Sequence, residues 1–173
     1  MANVILIPDG ENHAWYDWIS TELVKRGHSF FRPEFPPVSK GIDEWVASLK
    51  DYRKHLGESS IIVGHGAGRV IALRILEEKL REISGAFFVS GKPLSGDFKG
   101  FSFEELDFSA INNKAKSFFV YASEDDDSES LKESEFLAEK LDDEVLILEG
   151  PKYFKDYEKF EDLLIDILSL VES

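Results

Sequence analysis

Apolar residues fall along this chain in two alternating rhythms. Short runs that are apolar almost throughout, at NVILIP (3–8), HSFFRP (28–33), SIIVG (60–64), GAFFVSG (85–91), SFFVYA (117–122) and EVLIL (144–148), predict six strands. Strands that do not alternate apolar and polar positions belong to a parallel sheet covered on both faces. Between them the apolar positions recur at helical spacing. Trp15, Trp18, Ile19 and Leu23 form one stripe, closed by Gly27 as a C-terminal cap. Ile42, Trp45, Val46, Leu49 and Leu56 form a second, and Val70, Leu73 and Leu80 a third. Leu131, Phe136, Leu137 and Leu141 form a fourth, and Phe160, Leu163, Leu164, Ile167, Leu168 and Val171 a closing one.

No linker, repeat or low-complexity stretch interrupts this alternation, so residues 1–173 are expected to form one α/β domain. Right-handed crossovers place helices on both faces of a mostly parallel sheet of about six strands, giving a three-layer α/β/α sandwich. Ligands of such sheets bind beyond the carboxyl ends of the strands, near the switch point. The segment SSIIVGHGAGRVIALRI (59–75) reads as strand, tight turn and helix at that position. Its turn has the frame G-x-S-x-G, in which a strained strand-to-helix elbow lifts a serine hydroxyl above the sheet. Gly66 stands where the serine would be.

The order and spacing of IPDGENHAWYDWISTEL and IIVGHGAGRVIALRI, followed by FFVYASEDD and SEFLAEKLDDEVLILEGPKYF, resemble the small serine hydrolases of the retinoblastoma-binding-protein-nine type along essentially the whole chain. The resemblance implies a compact α/β-hydrolase fold with strand order 2-1-3-4-5-6. It places the nucleophile at Gly66, the acid at Asp126 (or at Asp125 if the acidic run is shifted by one) and the histidine at Tyr153. Glycine has nothing to attack with, and a tyrosine titrating near pH 10 is a poor general base at neutral pH. The loop that in the family offers a backbone N–H to the developing oxyanion here carries Asp9 and Glu11, whose charge opposes that role. The resemblance therefore implies a fold whose catalytic triad has degenerated. Glycine also adopts the elbow conformation freely, where a residue with a Cβ is strained.

The ligand pocket is expected to be bordered by Asp9, Gly10, Glu11, His13, Trp15, His65 and Ala67, with the His65 side chain itself turned toward the core. Asp9, Glu11 and Asp126 are expected to converge on one edge of the sheet as an acidic crevice walled by Trp15 and Tyr153. His28 and His55 are expected at the surface, and SEDDDSES (123–130) as a solvated loop that lacks the glycine and terminal glutamate of a calcium loop. No His-x-x-x-His or His/carboxylate spacing suggests a zinc site, so neither metal nor cofactor is expected.

Composition narrows the partners. A formal charge of −14 repels phosphate backbones and anionic membranes, so nucleic acid and membrane are not expected. The absence of cysteine excludes disulfides and thiolate chemistry and favours a reducing compartment. The N-terminal apolar run, about five residues long, is too short for a signal or spanning segment, and a cytoplasmic protein is expected. Three readings of function follow: a pseudoenzyme binding a small molecule or a protein, with a cationic ligand favoured by the charge; a rewired hydrolase using Asp126, Tyr153 or His13; or a structural domain without a pocket. A monomer or weak homodimer is expected.

Overall fold

The computed structural model describes residues 1–79 and 81–172. Six strands form one sheet: β1 (Asn3–Ile7), β2 (Ser29–Phe31), β3 (Ser60–His65), β4 (Ile83–Val89), β5 (Ala115–Ser123) and β6 (Val145–Leu148). Their order is β2-β1-β3-β4-β5-β6, with every neighbouring pair parallel. The expected fold class and strand order are thus present.

The helices are α1 (Ala14–Lys25), α2 (Ile42–Ser48), α3 (Gly68–Glu78), α4 (Leu94–Asp97), α5 (Phe108–Ile111), α6 (Ser128–Lys140) and α7 (Glu161–Val171). Successive strand residues point to opposite faces, so each unbroken apolar run feeds two cores. Val4, Leu6, Ile61, Val63, Phe87 and Val89 pack with residues of α1 and α7 on one face. Ile5, Ile7, Ile62, Ala86, Phe88 and Val120 pack with residues of α2, α3, α5 and α6 on the other.

The second expected helix is divided. The α-helix stops at Ser48, and a 3-10 turn from Lys50 to His55 carries the chain to Leu56, which is still buried. Leu80, expected in the third helix, lies outside the described residues. Among the described residues no helix is long and apolar enough to cross a membrane.

Of the two histidines expected at the surface, one is buried and the other half-buried. His28 is buried, with its Nδ1 accepting the Ala2 backbone N–H at 3.1 Å, because the strand start at Ser29 pairs beside the chain's first residues. His55 is partly covered and stacks on Phe31 at 4.2 Å between centroids. The acidic run divides between an exposed turn after β5, as expected at Glu124 and Asp125, and the start of a helix. Ser123 ends β5, Asp127 caps α6 by accepting the Ser130 N–H at 2.8 Å, and the helix begins at Ser128.

Candidate functional site

The turn after β3 has the conformation that the G-x-S-x-G frame implies. Gly66 takes a φ of +55°, in the left-handed region that glycine occupies without strain. Its N–H donates to the Val89 carbonyl at 2.9 Å, and its carbonyl accepts from Arg69 Nε at 2.8 Å, so both sides of its peptide geometry are pinned. Arg69 is 1% exposed and continues to Glu133 at 3.2 Å, which ties the elbow to α6. The glycine two residues beyond lets α3 close down on β1: a Cβ on Gly68 would stand 2.2 Å from the Ile7 carbonyl oxygen and 2.6 Å from that of Pro8.

The space in front of Gly66 is filled. A Cβ built on Gly66 would lie 2.7 Å from the Cβ of Asp9, closer than side-chain carbons approach, and 3.6 Å from the Gly91 Cα. Asp9 is therefore the residue that occupies the position toward which a serine at 66 would project. Its carboxylate faces His13, whose Nε2 lies 3.0 Å from Oδ1 and 2.9 Å from Oδ2, and Oδ1 also accepts the Glu11 N–H at 2.9 Å. Burial alone would raise the Asp9 pKa. The hydrogen bond from His13, the nearby His65 and His13 charges and the Glu11 N–H outweigh it and hold the group at about 2.

Beneath Asp9 lies a closed polar chain. His65 is 0% exposed; its Nε2 donates to the Tyr153 carbonyl at 2.8 Å, so its Nδ1 is the acceptor of the hydrogen bond that the Tyr16 hydroxyl donates at 2.7 Å. The Tyr16 oxygen in turn accepts the Asp9 N–H at 3.3 Å, so the loop amide nearest the elbow is already bonded. Burial lowers the His65 pKa to about 4, against the attraction of Asp9, and the ring is neutral at pH 7. Tyr16→Phe would leave the His65 Nδ1 and the Asp9 N–H unpartnered; urea unfolding should register a loss of about 1–2 kcal/mol.

These contacts correct the expected pocket border. Trp15 and Ala67 are each 0% exposed and belong to the core, and His65, also 0% exposed, is turned to the core as expected; the bonds from Trp15 Nε1 to the Phe154 carbonyl (3.2 Å) and from His65 to Tyr153 hold the 151–154 turn over these two side chains. His13 is also buried, at the N-terminal cap of α1. Gly10 and Glu11 do reach a concave surface, a groove of about 680 Å³ shared with Pro8 and the 32–37 segment. Glu11 is exposed there, 3.7 Å from Lys92.

Asp126, rather than Asp125, faces the position expected to carry the histidine, but its oxygens are engaged otherwise. Oδ2 accepts from Ser90 Oγ at 2.5 Å and from the Ser123 N–H at 3.0 Å, and Oδ1 accepts the Tyr153 backbone N–H at 2.8 Å. Asp125 instead only donates its N–H to Ser123 Oγ. Tyr153 sits at φ +60°, with its hydroxyl on the Asp127 carboxylate and Lys152 over its ring. Burial and then Asp127 push the phenol above its ordinary pKa, which removes it as a base near neutrality. The three carboxylates expected to border an acidic crevice each meet a partner: Asp9 turns to His13, Glu11 to Lys92 and Asp126 to the 123 and 153 amides.

One grouping was missed in the sequence: the side-chain ligand atoms of Asp9, His13 and His65 lie within 4.8 Å of one another. Its signal was the Asp-x-x-x-His spacing of Asp9 and His13, which the strand end and helix start fold back on the elbow histidine.

A parallel sheet in this order, with a glycine-flanked elbow at the end of its third strand, defines an α/β-hydrolase fold. The chain belongs to the serine hydrolase family, whose pattern it matches over residues 8–163. It is 28% identical over 167 residues to the putative hydrolase YdeN of Bacillus subtilis (strain 168), covering 91% of this chain and 87% of that protein. The crystal structure of the ydeN gene product from B. subtilis superposes with a TM-score of 0.85 at 19% identity over 100% of both chains. A putative YdeN-like hydrolase from Pectobacterium atrosepticum aligns over 99% of this chain and 91% of its own, at a TM-score of 0.69 and 14% identity. A carboxylesterase structure from the thaumarchaeon Nitrososphaera gargenis aligns over 98% and 90%, at 0.72 and 13%.

Proposed function

We propose that this chain is a serine hydrolase family member that has given up serine-based catalysis and uses the fold as a binding module for a small molecule or a protein partner. The observation that carries this reading is the packing of Asp9 against Gly66: the nucleophile is absent, and its place is filled by a side chain that would exclude it. The remaining parts agree with it. The acid position, Asp126, holds backbone amides, and the histidine position, Tyr153, carries a phenol directed at Asp127. Asp9 is ionised beside the elbow, where an oxyanion would need positive potential.

Beside the elbow, a groove between the loop after β1 and the 32–37 segment retains room for a ligand, with prolines and Phe35 along one side and Glu11, Arg32 and Glu34 as its charged groups. A ligand with an apolar body and one polar end suits that lining. Short p-nitrophenyl esters test the loss of catalysis: hydrolysis should be non-saturable and no faster than with an unrelated protein at equal concentration. Saturable turnover by the wild-type chain would overturn the reading.

A further inference from the structure

We propose that Asp9, His13 and His65 form a binding site for a single divalent transition-metal ion of the zinc type. These residues lie outside the positions of the family triad, and their donor atoms already converge within 4.8 Å of one another. Asp9 Oδ2 is 2.9 Å from His13 Nε2 and 3.8 Å from His65 Nδ1. A tetrahedral ion with bonds of about 2.0–2.1 Å places its ligand atoms roughly 3.3–3.4 Å apart. The first pair opens and the second closes by a few tenths of an ångström, and the two imidazole nitrogens, within 4.8 Å of each other, close further as the His13 ring turns.

The donor set selects the ion. Two imidazoles and one carboxylate suit zinc, cobalt or nickel, whereas calcium and magnesium call for a shell made of oxygens. The outer contacts have the form that supports ligation. His65 donates Nε2–H to the Tyr153 carbonyl, which fixes the tautomer with its lone pair on Nδ1, facing Asp9. Asp9 is held by the Glu11 amide.

Binding takes a proton from His13 Nε2, which shares it with Asp9; the proton leaves for solvent or moves to Nδ1. The Tyr16 hydroxyl proton turns away from His65 Nδ1, and the Tyr16 oxygen, 2.7 Å from that nitrogen and 3.5 Å from Asp9 Oδ1, stands close enough to be the fourth ligand.

The proposal is independent of the catalytic reading, since a metal titration reads no ester chemistry. The full chain, stripped with a chelator, is titrated with Co²⁺ followed by visible absorption and with Zn²⁺ by calorimetry. One equivalent should bind, with ligand-field bands of four- or five-coordinate cobalt. Asp9→Asn and His13→Gln should each weaken binding by more than the roughly tenfold that outer-shell changes produce, while Asp142→Asn/Asp143→Asn, an exposed acidic pair, should leave it unchanged. Should a variant fail to fold, imidazole ¹⁵N signals of the wild-type protein decide: Zn²⁺ should shift those of His13 and His65 and leave His28 and His55 in place. The absence of saturable binding, equal binding in wild type and both variants, or shifts confined to His28 or His55 would overturn the proposal.

Discussion

Gly66→Ser, the substitution that restores the family's nucleophile, is expected to destabilise the protein and leave it inactive. Any Cβ at this position meets the Asp9 Cβ at 2.7 Å, and the backbone is held at φ +55° by the Val89 and Arg69 hydrogen bonds. Forcing a side chain into a packed interior costs about 1–3 kcal/mol, and a residue with a Cβ in this backbone region costs on the order of 1–3 kcal/mol more. The sum is about 2–6 kcal/mol, which for a protein of this size lowers Tm by roughly 4–24 °C. Adding Asp9→Gly should recover the packing part and not the backbone part. Thermal unfolding followed by circular dichroism separates the two. Activity should stay absent even with Tyr153→His added, because Asp126 remains bonded to the 123 and 153 amides and groups that act as a unit are not restored singly. A Gly66→Ser protein that melts like wild type and turns over esters would contradict this account.

Acid should weaken the fold in two successive windows. His65 is neutral when folded, with a pKa of about 4 against 6.5 for an ordinary histidine. Between these values the unfolded chain binds a proton that the folded chain refuses, so stability falls as pH drops from 6.5 toward 4, by about 3 kcal/mol. Asp9 is held at about 2 against an ordinary 3.8; the stability it contributes is complete above pH 3.8 and is lost as pH falls toward 2, by about 2 kcal/mol. Urea unfolding at a series of pH values measures the sum, on the order of 5 kcal/mol. Asp9→Asn should erase the lower window, and the imidazole signals of His65 should remain those of a neutral ring down to pH 5. A His65 that titrates near 6.5 in the folded protein would refute the closed Asp9–Tyr16–His65 arrangement.

The sheet was legible because its central strands are covered on both faces, and coverage of that kind leaves unbroken apolar runs such as VILI and FFV. The connection between β4 and β5 was not. It folds into α4, a 3-10 turn at Phe103–Glu105 and α5, elements of three or four residues, too short for helical periodicity to appear. Their buried residues, Phe98, Phe103, Leu106, Phe108 and Ile111, look in the sequence like scattered apolar positions in a polar stretch.

The elbow was legible because its glycines at 64, 66 and 68 recur at alternate positions in one short stretch, although only Gly64 answers to a sequence neighbour, while Gly66 and Gly68 make room for the loop after β1. What the sequence could not convey was direction. Asp9 was correctly placed on the loop after β1, yet its side chain turns down to His13, and His65 bonds across to a residue 88 positions away. Such long-range pairings of single polar atoms leave no periodic trace. The same holds for Asp126, whose partners, the amides at 123 and 153, no periodicity marks.

Intact-mass measurement after incubation with a fluorophosphonate tests the central claim most directly, because the reagent modifies only an activated serine and needs no knowledge of the substrate. The account predicts that the wild-type chain keeps its unmodified mass under conditions that label an active serine hydrolase to completion. Stoichiometric addition of one phosphonyl group to a serine of this chain would contradict it.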